Sequence, residues 1–330
     1  MERIGIIGAG AWGTALAQTL ARAGRSVVVW AHTAETAAAI NRDHANDVFL
    51  PGVALDPGIR ATAALDEAAA ADAILLAPPA QHLRGLAAAL RPAPGVPVVI
   101  CAKGIEITTG ALLTEVVAEV LPQAPRAVLS GPTFAAEVAR GLPTAVTLAC
   151  ADAALGARLV AALGSRALRP YLADDPVGAE IGGAVKNVLA IACGIVIGRG
   201  LGENARAAIV TRGLAEMMRL AEAKGGRAAT LMGLSGLGDL TLTCTSAQSR
   251  NFSLGLALGG GQSLAAVQAG RRSVAEGVSS APATVALAAR LGIEMPIAAA
   301  VDAILHRAAA IDAVIEGLLS RPFRSETPQS

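Results

Sequence analysis

The chain is expected to fold as an α/β protein, with a Rossmann-like doubly wound sheet followed by an all-helical C-terminal domain. Three observations lead there. Short apolar runs alternate with helical patterns through the first half, as in a parallel sheet covered on both faces. A glycine-rich turn, Gly8-Ala9-Gly10-Ala11-Trp12-Gly13, follows the first of those runs. Beyond about residue 175 the strand signal stops and long helical patterns take over. The 330 residues suit two medium domains. They are assigned as 1–180, dinucleotide-binding, and 181–330, a helical substrate domain.

Taken in order, residues 3–7, 26–30, 73–77, 97–101, 127–129 and 144–149 read as strands, being short and mostly apolar. Helical periodicity lies between them at 12–23, 34–42, 81–90 and 111–121. The connection 43–60 carries Pro51-Gly52 and Pro57-Gly58. It is longer than the fold requires, so it is expected to touch a ligand. The second half shows helical patterns at 176–197, 204–223, 264–269, 281–291 and 297–306. No low-complexity linker separates the halves, so they are expected to pack closely around a cleft.

Composition removes several classes of function. A net charge of +1 and 2% aromatics leave neither a basic footprint nor a stacking surface for nucleic acid. Cys101, Cys150, Cys193 and Cys244 lie far apart without C-x-x-C spacing. They read as reduced thiols of a cytoplasmic protein, and the scattered histidines suggest no metal site. Glycines interrupt the apolar N-terminus, which therefore does not read as a secretory signal. Lys186 and Asn187 break the most apolar segment, so membrane insertion is not expected.

The glycine turn is the first functional candidate. Gly8 permits the tight turn, Gly10 lets a pyrophosphate approach the backbone, and Gly13 lets helix and strand pack closely. The helix start then offers unpaired N–H groups to phosphates. After the second strand no carboxylate occurs until Glu35, while His32 and Thr33 stand where a ribose 2′-substituent would lie. A 2′-phosphate meets no repulsion there, so NADP(H) is expected to be accepted, alongside or instead of NAD(H).

The second candidate is lysine. Lys103, Lys186 and Lys224 stand against twenty-four arginines. Arginine stays charged, whereas a buried lysine exchanges its proton near neutrality. Lys103 follows a strand, at the sheet edge where open α/β folds bind ligands. Ser130-Gly131-Pro132-Thr133-Phe134-Ala135 presents a hydroxyl and backbone N–H groups at the same edge. Lys186 lies in an apolar helix with Gly182 and Gly183 on its face, a pattern that would leave room for a ligand. Lys224 reads as a solvated charge at a helix end. In Ser249-Arg250-Asn251, the arginine suits a phosphate and its neighbours add hydrogen bonds.

These segments together resemble the bacterial, soluble NAD(P)-dependent sn-glycerol-3-phosphate dehydrogenase family. The matching pieces begin with Gly8-Ala9-Gly10-Ala11-Trp12-Gly13-Thr14-Ala15, Ala102-Lys103-Gly104 and Ser130 to Ala135. They continue with Gly183-Ala184-Val185-Lys186-Asn187, Gly202-Glu203-Asn204-Ala205-Arg206, Thr211-Arg212-Gly213, Gly236-Leu237-Gly238-Asp239-Leu240, Gln248-Ser249-Arg250-Asn251 and Glu276-Gly277. They occur in family order.

The resemblance implies reduction of dihydroxyacetone phosphate to sn-glycerol 3-phosphate, with Lys186 as acid/base. It implies substrate contacts at Lys103, Gly131, Thr133, Lys186, Asp239, Ser249, Arg250 and Asn251. It implies cofactor contacts at Ala11, Trp12, His32, Lys103, Ala135, Arg250, Val274 and Glu276, beside Gly8, Gly10 and Gly13 of the glycine turn. A small phosphorylated substrate and a homodimer are expected. Ala11, where the family often has serine, and Ile197, where it usually has an acid, depart from the pattern. Two alternatives stay open: a 3-hydroxyacid or ketopantoate reductase-type dehydrogenase, and a non-catalytic NADP(H) sensor.

Overall fold

The computed structural model describes residues 1–269 and 275–322. Its sheet has eight strands: β1 (Arg3–Ile7), β2 (Ser26–Trp30), β3 (Arg60–Thr62), β4 (Ala73–Leu76), β5 (Val98–Ile100), β6 (Arg126–Ser130), β7 (Thr144–Ala149) and β8 (Leu168–Ala173). Their order is β3-β2-β1-β4-β5-β6-β7-β8. The expected parallel sheet forms through β6. β7 then runs antiparallel to β6, with β8 parallel to it.

Between β6 and β7 lies a helix of six residues, Ala135–Arg140. At about 1.5 Å per residue it is shorter than a strand and cannot return the chain to the strand's start. β3 and β8 escaped the sequence reading. β3 has three residues, and β8 is an edge strand in which Arg169 and Pro170 interrupt the apolar pattern.

The helices are α1 (Ala11–Arg22), α2 (Ala34–Asp43), α3 (Leu65–Ala69), α4 (Leu83–Ala89), α5 (Leu113–Val120), α6 (Ala135–Arg140) and α7 (Ala153–Leu163) in the first half. In the second they are α8 (Pro176–Gly198), α9 (Gly202–Ala223), α10 (Ala228–Leu231), α11 (Asp239–Thr245), α12 (Arg250–Gly259), α13 (Leu264–Ala269), α14 (Glu276–Arg290), α15 (Pro296–His306) and α16 (Ile311–Leu319).

Alternate strand residues serve opposite faces. Ile4, Ile6, Val27 and Val29 join α1, α6 and α7 in one core, whereas Ile7, Val28 and Trp30 join α3, α4 and α5 in another. Both faces of the sheet are thereby closed.

α8 organises the second half. Every residue from Gly178 to Val196 is buried, and α9, α11, α12, α14 and α15 surround it. By length and composition α8 could cross a bilayer, but 89% of its most apolar window is buried inside the protein. Its N-terminal half also packs on β6 and β7. One helix thus carries side chains from the helical core to the C-terminal edge of the sheet. α14 begins earlier than the helical pattern at 281–291 suggests, with Pro282 inside it.

Candidate active site

The sheet edge and α8 bring the two expected lysines together around one acid. Lys103 stands three residues beyond β5, and Gly131 directly follows β6. Asp239 is the first residue of α11 and is fully buried. Lys103 Nζ donates to Asp239 Oδ2 at 2.6 Å and to the Gly131 carbonyl at 3.0 Å. Lys186 Nζ donates to Asp239 Oδ1 at 2.5 Å and to Thr243 Oγ1 at 3.0 Å. One carboxylate therefore joins both lysines, and each lysine has another oxygen partner.

Burial pulls the Lys186 ammonium down to about 8, the positive charge of Lys103 acts in the same direction, and Asp239 holds it up. Lys186 therefore exchanges its proton near physiological pH.

Thr243 is a site residue that sequence reasoning missed. Its hydroxyl accepts from Lys186 and donates to the Asp239 carbonyl at 2.6 Å. The available signal was its spacing, four residues after Asp239 on one helix face.

The glycines beside Lys186 serve a different purpose from the one expected. A Cβ on Gly182 would lie 2.3 Å from the Ser235 carbonyl oxygen. A Cβ on Gly183 would lie 2.8 Å from Ser130 Oγ and 3.3 Å from Lys103 Cγ. Both glycines admit protein rather than ligand. They let α8 press against the π-turn Leu234–Gly238 and against the Lys103 stem.

Two strands away along the same edge, beyond β1, the glycine turn has room for a pyrophosphate. Gly10 caps α1 with no side-chain acceptor, and the first turn holds no acidic residue. The leading N–H groups of Ala11, Trp12 and Gly13 are therefore left to an anion. Nothing lies within 4 Å of a Cβ placed on Gly10, whereas one on Gly13 would lie 1.9 Å from the Gly8 carbonyl oxygen. Gly10 thus faces open space, and Gly13 closes the turn. Trp12 Nε1 is buried without a partner beside it.

His32 is exposed beyond β2, edge-on to Trp30 with ring centroids 5.9 Å apart. Thr33 instead caps α2, accepting from the Thr36 amide at 3.3 Å. The 43–60 connection supports the glycine turn from outside. Its buried Asn46 donates to the Ala9 carbonyl and to Thr14 Oγ1, both at 2.8 Å.

The remaining expected residues divide between helix starts. Ser249 Oγ caps α12 by accepting from the Phe252 amide at 3.2 Å, and exposed Arg250 begins that helix. Asn251 joins three helices, since it donates to Asn187 Oδ1 and accepts from the Gly277 amide, each at 2.9 Å. Glu276 begins α14; burial raises its carboxyl above the ordinary value, and Arg250, Lys103 and Lys186 offset only part of that rise. Its charge is therefore felt within the lysine cluster. Thr133 donates to the Gly131 carbonyl at 3.3 Å, and Ala135 is the first residue of α6. Val274 lies outside the described residues. Among the described residues no group of three or more histidine, cysteine or acidic side chains could hold a metal.

A glycine turn with free amides and a buried lysine of lowered proton affinity, along one sheet edge, are the arrangement expected of a dehydrogenase that uses a nicotinamide dinucleotide. Comparison with known proteins narrows this class. Residues 3–156 match the N-terminal family model of NAD-dependent glycerol-3-phosphate dehydrogenase, and residues 175–316 match its C-terminal model. A glycerol-3-phosphate dehydrogenase [NAD(P)+] from Rhodospirillum rubrum is 63% identical, covering 99% of this chain and 94% of that protein. One from Parvibaculum lavamentivorans is 61% identical, covering 99% and 98%. The crystal structure of glycerol-3-phosphate dehydrogenase from Coxiella burnetii superposes with a TM-score of 0.93 at 40% identity, over 97% of this chain and 99% of that one. The chain belongs to the NAD-dependent glycerol-3-phosphate dehydrogenase family.

Proposed function

We propose that the protein catalyses the reversible NAD(P)H-dependent reduction of dihydroxyacetone phosphate to sn-glycerol 3-phosphate, and so supplies the backbone of glycerophospholipids. The observation that carries this reading is the Lys103–Asp239–Lys186 cluster at the ligand-binding edge of a chain from this family. When bound, the reduced nicotinamide supplies a hydride to the ketone carbon.

The chain's own groups complete the reaction. Lys186 gives a proton to the developing alkoxide oxygen, and in the reverse direction it removes the proton from the alcohol. Asp239 and Thr243 keep the Lys186 ammonium in place. Lys103, Arg250 and Asn251, with Gly131, Thr133 and Ser249, surround the phosphorylated substrate, where positive charge offsets the phosphate. Gly8, Gly10, Ala11, Trp12 and Gly13 hold the pyrophosphate, His32 faces the adenosine ribose, and Ala135 and Glu276 contact the cofactor.

The domain division is placed at residue 180, within α8, a helix that as one rigid element belongs to the helical half. The protein is read as cytoplasmic, without membrane insertion, and as a homodimer. Sedimentation of the pure protein tests that state.

The activity is tested by following NADH and NADPH oxidation with dihydroxyacetone phosphate and, separately, with ketopantoate. Oxidation with the first substrate alone is expected. Turnover of ketopantoate alone would overturn the reading.

A further inference from the structure

Behind Lys103 the two halves of the molecule meet at a second polar contact. Glu180, on α8 six residues before Lys186, is 5% exposed. Its carboxyl accepts from the Thr114 amide at 3.0 Å and from the Thr114 hydroxyl. Thr114 lies in the first turn of α5, where helix N–H groups lack intrahelical partners and a carboxyl is favoured. The cap is therefore supplied from outside α5, by the helix that also carries Lys186.

The neighbouring residue makes a second tie. Glu115 accepts from the Leu112 amide at 2.8 Å and from Lys224 Nζ, at the end of α9, at 2.7 Å. Two helices of the second half thus grip the start of α5.

That start is coupled to Lys103 by the intervening chain. Ile105 and Leu112 pair as an antiparallel bridge, so residues 105–112 form a closed loop with Lys103 at one foot and α5 at the other. Arg84 holds the loop's Glu106 through Nε and Nη2, each at 2.8 Å. The space behind the Lys103 stem is a crevice lined by Ala102, Ser130, Ala179, Glu180 and Gly183. Ser130 Oγ is buried there without a hydrogen-bond partner. Lys103 Nζ is anchored on Asp239 and the Gly131 carbonyl, while its backbone is set by the base of this loop.

We propose that Glu180 is a positioning residue, which caps α5 from the helical half and thereby sets where Lys103 stands against Asp239 and Lys186. The inference rests on the reading of Lys103 as a substrate-contacting group. The charged groups around Glu180 are Glu115 from α5, with its Lys224 partner from α9, and Lys103 across the crevice.

A double-mutant cycle tests it, using kcat and KM for dihydroxyacetone phosphate in the full-length enzyme. Lys103→Ala, Glu180→Ala and the pair are compared, with Glu180→Gln as the conservative variant. Glu180→Ala is expected to lower kcat/KM about tenfold, with the KM for reduced cofactor unchanged. Glu180→Gln, whose amide oxygen still accepts from Thr114, should recover to within about threefold. In the Lys103→Ala background, Glu180→Ala should cost less than about twofold, because the residue it positions is gone. Equal losses in both backgrounds would overturn the proposal. Should Glu180→Ala not fold, Glu180→Asp keeps the charge, shortens the reach and carries the same cycle. A Lys103→Ala enzyme with wild-type kcat/KM would instead remove the reading of Lys103 itself.

Discussion

Lys186 works through its surroundings more than through its identity. Burial and the charge of Lys103 lower its proton affinity, and Asp239 stops the fall at about 8. In the acid/base role proposed above, ketone reduction uses the charged lysine, so kcat/KM for reduction should be level below about pH 8 and decline above it. Alcohol oxidation requires the neutral lysine, so it should rise through the same pH. Profiles measured in both directions check this, and a reduction rate that climbs past pH 8 would contradict it. Lys186→Arg keeps the charge but not the exchangeable proton. Turnover should fall by roughly 10²–10⁴-fold with the KM for cofactor little changed, as steady-state kinetics would show.

Lys103 and Lys186 were legible in the sequence because lysine is so scarce and because both fall in recognisable segments. Thr243 was not, because a helical threonine gains a role only when α11 lies against α8. Lys224 was misjudged as solvated. Its side chain is 20% exposed and paired with Glu115, a partner 109 residues away that no local pattern reveals.

Among the elements, α8 was the most legible and the least understood. Its length follows from its apolar run, and Asp175 and Pro176 mark its start, Asp175 accepting from the Gly178 amide at 2.9 Å. Its glycines could be noticed in sequence, but not what they face. Gly182→Ala sets a Cβ 2.3 Å from the Ser235 carbonyl oxygen, an atom of rigid backbone. α8 or the turn before Asp239 must then move. The change should cost about 1–3 kcal/mol in urea denaturation. It should also lower kcat, because the turn that shifts leads into the residue holding both lysines. Unchanged stability would show that α8 and the turn have slack. β8 and the reversal at β7 were illegible for a related reason. Strand direction depends on where a short helix leaves the chain, and edge strands need not be apolar.

At the scale of the whole molecule, the doubly wound sheet and the helical second half followed from alternation and the glycine turn. What the sequence could not show was how carboxyls bind the halves and helices together. Glu180 caps α5, and Glu216 caps α15 through the Ile297 amide at 2.8 Å and the Ala298 amide at 3.3 Å. Burial pushes each carboxyl up to about 7. A carboxyl with a raised folded pKa favours the native state most at low pH, and this contribution drains away between about 4.5 and 7. The melting temperature should therefore decline as pH rises from 5 to 7. Glu216→Gln, which keeps an acceptor without an ionisable group, should flatten that decline in a calorimetric series. An identical slope in the variant would place the pH dependence elsewhere.

The lysine pairings also make the protein a reporter of its own opening. Side-chain exposures are 13%, 8% and 20% for Lys103, Lys186 and Lys224, and each ammonium is ion-paired. Two of those pairs, Lys103–Asp239 and Lys224–Glu115, span the halves. An amine-selective acylating reagent applied briefly to the native chain should leave the ion-paired Lys224 largely unmarked. A mass increment that maps to Lys224 would record molecules whose halves had come apart during the pulse, since its partner Glu115 belongs to the other half. A peptide-mass map could then count opening events with no engineered label.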